Sequence, residues 1–555
     1  AATRVGPTGL IEKGRENLWL QSTDLGTSPN ATTSAANITG GQSGYDGSSN
    51  AWELESLSDG FYRRLYQSAT QTGVITFSIY AKSANTDSLL IYNNQNGDRA
   101  WFDLSTGSLG NLNGAIDSSI EDIGSGWYRC SISLITSTAS EFWICPANEN
   151  NVASCDLGNS ILLQSAQLEI GNVTTDYIES GATTGKAGLL ESEPRFDYSG
   201  GATCPSLLLE PSRTNLIGYS EYYSTYFTQQ AISVTTNAIV SPEGLQNASK
   251  LIPNSGTGGN RSLGKGFTGL SGIHTFSTFA KAGEYGYVSL RMRNTPSAFV
   301  MFDLNNGLIH NINSNAQYVT GSAKIEDYGN GWYRCSVSFD PSGSGTIGDL
   351  FPSLSVGITG DETFNWDGDG ISGIYIYGLQ FEAGSYPTSY IPNHSGGTIT
   401  RGAEVCGGAG DASTFNSTEG VLYVEVAALA DDGTNRGISI SDGTATNRIT
   451  FLLSSQSNTL RVFGVAGGLQ FNLQNSSFNT LNYNKIAVLY QLNNFKFFIN
   501  GTQIGSSTSG AVPIGLNSIV FDNGSGGLNF YGKTKQVLYF PTALSDADLA
   551  TLTTL

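Results

Sequence analysis

Residues 120–133 read IEDIGSGWYRCSIS, and residues 325–338 read IEDYGNGWYRCSVS; eleven of the fourteen positions are identical. The pattern is that of a strand. Residues two apart on a strand point the same way, so Tyr128, Cys130 and Ile132 share one face, and Trp127, Arg129 and Ser131 share the other. Gly124-Ser125-Gly126 and Gly329-Asn330-Gly331 supply the tight turn before each strand. The stretch therefore predicts a duplicated hairpin, with Trp127 and Trp332 in the core and Arg129 lying over Trp127. The acid pairs Glu121-Asp122 and Glu326-Asp327 become turn acids, or partners of Arg129 and Arg334.

Working outward, further matches keep the same order. ENLWLQS at Glu16 answers TNLIGYS at Thr214, TFSIYAKS at Thr76 answers TFSTFAKA at Thr275, and WFDLSTG at Trp101 answers MFDLNNG at Met301. AQLEIGNVTTDYI ends at Ile178, and LQFEAGSYPTSYI ends at Ile391. The offset drifts from 198 (214 − 16) to 213 (391 − 178), as in a duplicated domain with small loop insertions. The predicted units are residues 1–180 and 205–392. The Gly-, Pro- and Ser-rich stretches 181–204 and 393–412 read as linkers, although Leu207, Leu208 and Leu209 point to packing on a neighbour.

A third unit, 413–555, alternates in EGVLYVEVAAL, NRITFLLS and NKIAVLYQLNNFKFFINGTQIGS, with hairpin turns at Asn493-Asn494 and Asn500-Gly501. Ser545 followed three residues later by Asp548 predicts a short helix over Ser545–Leu552. The composition agrees with an all-β fold of three β-sandwich domains in series. Gly is abundant (69), Met is nearly absent (2), and 555 residues suit about three domains of ordinary size.

The net charge of −19 argues against nucleic acid as a partner, because phosphates need a basic face. No apolar run reaches the ~18 residues of a membrane span, so no membrane insertion is expected. The opening AATRVGPTGLIEKG lacks the basic-then-apolar pattern of a secretion signal. Six cysteines show no zinc spacing. Cys130 and Cys335 sit in the duplicated stretch and read as buried thiols, while Cys145 and Cys155 are placed to close a disulfide across a hairpin.

The stretches SLLLEPSRTNLIGYSEYYS, FSTFAKAG, IEDYGNGWYRCSVSF and YGLQFEAGSYPTSYIP together resemble a module of bacteriophage tail-fibre and head-fibre proteins, one similar to the jelly-roll carbohydrate-binding modules. The first copy departs from the module at its end, where TTDYIES stands for PTSYIP. FKFFINGTQIGS and GKTKQVLYFPTALSDADL are similar to laminin-G or concanavalin A-like lectin domains of the same virion proteins. The resemblance implies a fibre or spike on the virion surface, host-cell surface glycans and other virion proteins as partners, and a homotrimer. In that family the start ATRVGPTGLIE usually follows an N-terminal attachment region. The alternatives that stay open are a capsid decoration or head-fibre protein without a glycan ligand, and a polysaccharide depolymerase.

Candidate chemistry is sparse. Only His274, His310 and His394 exist, none beside a nucleophile motif, so no catalytic residue is assigned and no enzyme is expected. Sugar binding calls for aromatic platforms, and those unmatched between the copies are free of a shared core duty; Trp366, Trp101, Tyr222 and Tyr223 are the candidates, among unmatched aromatics that also include Trp52 and Trp143. In NWDGDGISG, Asn365, Asp367 and Asp369 offer oxygen ligands suited to calcium, against the plainer reading of an Asx turn.

Overall fold

In the computed structural model, the residues described are 2–27, 32–223, 226–256, 261–292, 298–314, 317–340, 352–357 and 367–555. The chain is all-β, with jelly-roll and concanavalin-like sandwiches, and every strand pairing within the sheets is antiparallel.

The first sandwich sets the six-stranded sheet Asp117–Gly124, Trp127–Thr136, Gly73–Ser83, Ser160–Ile170, Ala51–Ser56, Ala36–Gln42 against a second one. That second sheet runs Ser108–Asn113, Arg99–Asp103, Ser88–Asn93, Ser140–Ala147, Arg64–Ala69, Thr32–Ser34. The next copy repeats both orders, as Lys324–Asp327, Trp332–Phe339, His274–Ala282, Ile374–Ala383, Ala248–Pro253, Ile232–Ile239 facing Leu308–Asn313, Ala298–Asp303, Tyr287–Met292, Pro352–Gly357, Ser262–Gly264, Thr228–Gln230. The duplicated stretch takes the same place in each. Trp127 pairs with Lys82, and Trp332 pairs with Lys281.

The inner face of the hairpin strand fills the core. Cys130 and Ile132 are buried with Phe77, Ile79 and Ile144, and Cys335 and Val337 with Phe276 and Ile376. The outer face is covered too. Trp127 packs on Tyr80 and Tyr45, and Trp332 packs on Phe279, Tyr377 and Ile11. Arg129 does not lie over Trp127. Its guanidinium sits 5.4 Å from the ring of Tyr80, its direct partner on the neighbouring strand, and Arg334 sits 5.4 Å from Phe279. A directly opposed residue is closer than one two places along the same strand. Asp122 and Asp327 are turn acids, accepting from the amides of Gly124 (2.8 Å) and Gly329 (2.7 Å).

Buried polar side chains repeat with the strands, as burial requires of them. Asn17 Oδ1 accepts from Trp19 and Leu168 amides, and Asn215 Oδ1 from Ile217 and Phe381 amides. Thr76 and Ser133 hydroxyls meet at 2.7 Å, as do those of Thr275 and Ser338. The altered ending TTDYIES keeps the same contacts: Thr175 holds Glu169 as Thr388 holds Glu382.

The third sandwich pairs a seven-stranded sheet with a six-stranded one. Its helix spans Asp546–Thr553, capped by Ser545, whose hydroxyl accepts from the Asp548 amide as its sequence predicts. Among the described residues no helix is long and apolar enough to cross a membrane.

The two stretches read as linkers are structured. Phe196–Asp197, inside the first of them, pairs with Ser206–Leu209 just beyond it, and that strand pairs with Gly532–Phe540 and so joins the third sandwich's sheet, with Leu209 in its core. Gly407–Ala409 pairs with Ser518–Val520 in the opposite sheet. Gly185–Gly188 pairs with Ile11–Asn17, and Ile399–Arg401 with Arg213–Asn215. At their meeting point lies a buried ion cluster. Glu210 Oε2 accepts from Arg195 (2.7 Å), Arg401 (2.6 Å) and the Ser389 hydroxyl (2.6 Å), while Arg195 also holds Glu404 and donates to the Thr3 carbonyl (2.7 Å). A second cluster joins the N-terminal hairpin, in which Thr3–Val5 pairs with Ile11–Asn17, to the second sandwich through Glu243, with Lys13 at 3.0 Å and Arg15 at 2.5 Å. Gly, Pro and Ser suggested mobility, but these tertiary contacts override that local tendency.

Candidate glycan-binding face

The Arg64–Ala69, Ser140–Ala147, Ser88–Asn93 and Arg99–Asp103 strands of the first sandwich send Leu65, Ile144, Ile91 and Ala100 inward to the core. Their alternates form one cross-strand row on the outer face: Tyr66 opposite Trp143, Trp143 opposite Tyr92, and Tyr92 opposite Arg99. Tyr66, Trp143 and Tyr92 are each half-buried. The Tyr92 and Trp143 rings stack at 4.7 Å between centroids and 27° between planes. Tyr62 closes on both, at 4.9 and 5.5 Å. The Arg64 guanidinium lies 3.8 Å from the Trp143 centroid. Cross-strand aromatic pairs and a guanidinium over a ring are each favourable.

The polar groups at this face are arranged outward. Trp143 Nε1 donates to Glu141 Oε2 at 2.8 Å, and Asn94 Nδ2 donates to the same oxygen at 3.1 Å. Among the described residues the hydroxyls of Tyr62, Tyr66 and Tyr92 have no protein hydrogen-bond partner, and neither Arg64 nor Arg99 pairs with a carboxylate. Burial pushes the Tyr92 phenol above its ordinary value, so it stays a neutral donor. The face thus offers ring edges and apolar surface next to free tyrosine hydroxyls and two arginines without a carboxylate partner. That combination suits a sugar, which presents C–H faces rimmed by hydroxyls.

The second sandwich lacks this row. Its register places Gly264, Ser353, Arg291 and Phe299 at the positions of Tyr66, Trp143, Tyr92 and Arg99. A feature the fold needed would be present in both copies.

The sequence candidates fare unevenly. Trp101 borders the face but is 6 % exposed, its indole donating to the Val152 carbonyl at 3.1 Å. Tyr223 is wholly buried, with its hydroxyl on the Ser220 carbonyl at 2.7 Å, so it is core and not a platform. Tyr222 is half-buried against Tyr219, away from the row. Trp52, also unmatched, donates to the Thr23 carbonyl from a packed site. Trp366 and Asn365 lie outside the described residues. Asp367 is exposed. Asp369 is the Asx turn: its carboxylate accepts from the amides of Ile371 (2.8 Å) and Ser372 (2.7 Å) and from the Ser372 hydroxyl, and these hold it at about 2. No group of three acidic, His or Cys residues suited to a metal occurs among the described residues. Cys145 and Cys155 are free thiols. Cys145 packs outward beside Leu90 and Trp101, whereas Cys155 lies on a strand that pairs with Gly60–Phe61, so the two are not opposed.

Sequence reasoning missed Trp143, Tyr92 and Tyr66 in favour of Trp101. The signal lay in FWI: Trp143 sits between Phe142 and Ile144, both buried, so it must face outward.

Residues 422–550 match the Laminin_G_3 family, described as the Concanavalin A-like lectin/glucanases superfamily. No curated protein matches the chain. Similar solved structures include the Ruminococcus gnavus IT-sialidase CBM40 bound to α2,3-sialyllactose, 15% identical over 27% of this chain and 95% of that one, TM-score 0.24. The CBM22-1–CBM22-2 tandem domain of Paenibacillus barcinonensis Xyn10C is 12% identical over 67% of this chain and 99% of its own, TM-score 0.19. Domains LG4-5 of the mouse laminin α1 chain are 8% identical over 58% and 90%, TM-score 0.20.

Proposed function

We propose that this chain is a non-enzymatic virion fibre or spike protein that holds lectin-like sandwiches against host cell-surface glycans. The observation that carries the glycan reading is the Tyr66–Trp143–Tyr92 row, built on one copy of a duplicated sandwich and absent from the other. The superfamily match of residues 422–550 supports a lectin-like third sandwich. The virion setting, the other virion proteins and the homotrimer rest on the resemblance of the duplicated stretches to phage fibre modules. A trimer would suit weak sugar sites, because several presented together gain avidity. The non-enzymatic reading rests on the sequence, in which none of the three histidines stands beside a nucleophile motif.

The test is retention of the full chain on immobilised host-cell surface polysaccharide, with light scattering for its oligomeric state. Trp143→Ala should weaken retention by about tenfold or more. Release of soluble sugar from the polysaccharide would instead mark a depolymerase. Failure to retain any host polysaccharide would leave a structural decoration.

A further inference from the structure

The aromatic face of the first sandwich carries two cations as well as rings. Arg99 is the direct strand partner of Tyr92, and its guanidinium lies 5.4 Å from the Trp101 centroid. Arg64, two residues before Tyr66 and so on the same face, lies 3.8 Å from the Trp143 centroid and 5.2 Å from that of Tyr66. In strand order Arg64 comes before the Trp143–Tyr92 stack and Arg99 after it. The two outer strands stand about 14 Å apart, three inter-strand steps of about 4.8 Å.

Neither cation has its charge met. Among the described residues Arg99 makes no hydrogen bond to the protein, and both arginines are half-buried. Arg64 donates Nη1 to the Tyr62 carbonyl at 3.2 Å and leaves Nη2 without a protein acceptor. Carboxylates are not scarce, since Asp and Glu outnumber Lys and Arg by 46 to 27. Yet Glu141, the acid at the row, accepts from the Trp143 indole and from Asn94, not from an arginine. Asp98, next to Arg99 in sequence, is buried, and burial raises its carboxyl above the ordinary value. The fold does not require the cations either. At the positions of Arg64 and Arg99 the second copy has Ser262 and Phe299, set by matching strand pairs: Ser34 with Arg64 and Gln230 with Ser262, Asn113 with Arg99 and Asn313 with Phe299. A neutral sugar laid on this face would shed water from both guanidiniums and return no charge. A carboxylate would meet them with charge-assisted hydrogen bonds, for which the planar guanidinium is suited.

We infer that the glycan taken by the Tyr66–Trp143–Tyr92 face is an acidic one, its sugar carboxylate held by Arg99 and by the open edge of Arg64. The inference rests on the glycan-binding reading of that face and adds the charge of its ligand. The test is a saturation-transfer NMR titration of the full chain with two matched pairs of probes: the methyl glycosides of glucuronate and glucose, and those of galacturonate and galactose. Within each pair the rings differ only in carrying a carboxylate or a hydroxymethyl group. In at least one pair the acid should bind about tenfold or more tightly than its neutral partner, and added salt should weaken the acid alone. Arg99→Gln and Arg64→Gln should each cut that preference about fivefold or more. Arg461→Gln, which removes a cation from the third sandwich, should leave it unchanged. All variants are checked by circular dichroism, and if Arg64→Gln does not fold, Arg99→Gln decides. Equal binding within both pairs, a preference that survives in the arginine variants, or no transfer to any probe overturns the inference. The two readings fail differently. Neutral sugar bound as well as acid, and lost in Trp143→Ala, sinks the acidic ligand and leaves the glycan face standing, whereas a chain that neither shows transfer nor is retained on any host polysaccharide loses both.

Discussion

Replacing Glu210 by Gln should both destabilise the protein and flatten its response to acid. Burial raises this carboxyl, but Arg401, then Arg195, with the Ser389 hydroxyl and amide, outweigh burial and bring it from the ordinary 4.5 to about 2. Each pH unit of such a change is worth about 1.4 kcal/mol, so the cluster contributes about 3 kcal/mol in the ionised state. The folded value is depressed, so this stability is present above 4.5 and is lost as pH falls from 4.5 toward 2. At pH 7, Glu210→Gln removes one side of a buried ion pair, an effect of about 3–5 kcal/mol. Arg195 retains Glu404, whereas Arg401 has no other carboxylate among the described residues. The assay is urea unfolding of the full chain at a series of pH values, followed by tryptophan fluorescence. The gap between wild type and variant should be widest near neutrality and should close toward pH 2, where the wild-type carboxyl is itself protonated. A variant as stable as wild type at pH 7, or a gap that stays constant down to pH 2, would refute the reasoning.

Other outcomes follow from single contacts. Trp332→Ala empties a buried site and should cost about 3–5 kcal/mol; calorimetry should show Trp143→Ala, on the half-exposed face, lowering the melting temperature far less. Leu209→Ala should destabilise the third sandwich by about 2–5 kcal/mol, although residue 209 precedes the second sandwich in sequence; hydrogen exchange on Glu419–Ala428 would report it. Calcium or a chelator should leave the melting temperature unchanged, because the Asp369 carboxylate is already taken by Ile371 and Ser372.

The sequence was most informative where register governs. The GWYRC strands are tied to two neighbours each and packed on both faces, so a copied sandwich must copy them, and the repeat is visible at once. The ion clusters were hidden. Arg195, Glu210, Arg401 and Glu404 are drawn from stretches about 200 residues apart, and nothing local to any of them announces a partner. The rule that unmatched aromatics are free of a shared core duty does not separate the covered ones from the accessible ones. Trp101 and Trp143 are both unmatched, and only strand pairing shows that one is covered by Val152 and the other stands in the row.

The Leu208–Lys533 pairing makes the third sandwich discontinuous, with the whole second sandwich inserted between two of its strands, Phe196–Asp197 and Ser206–Leu209, and the rest. The two paired residues are separated by 325 positions (533 − 208). At synthesis rates of roughly 5–20 residues per second, the earlier strand waits on the order of 16–65 s for its partner. Meanwhile the second sandwich, which is complete by Ile391, can fold. One edge of the Ser-Leu-Leu-Leu strand is covered by Phe196–Asp197, and the other, awaiting Lys533, is an open template for a neighbouring nascent chain. On a polysome translating many copies at once, the order of folding is therefore fixed by the insertion, and the interval before Lys533 emerges is when wrong partners compete for the strand.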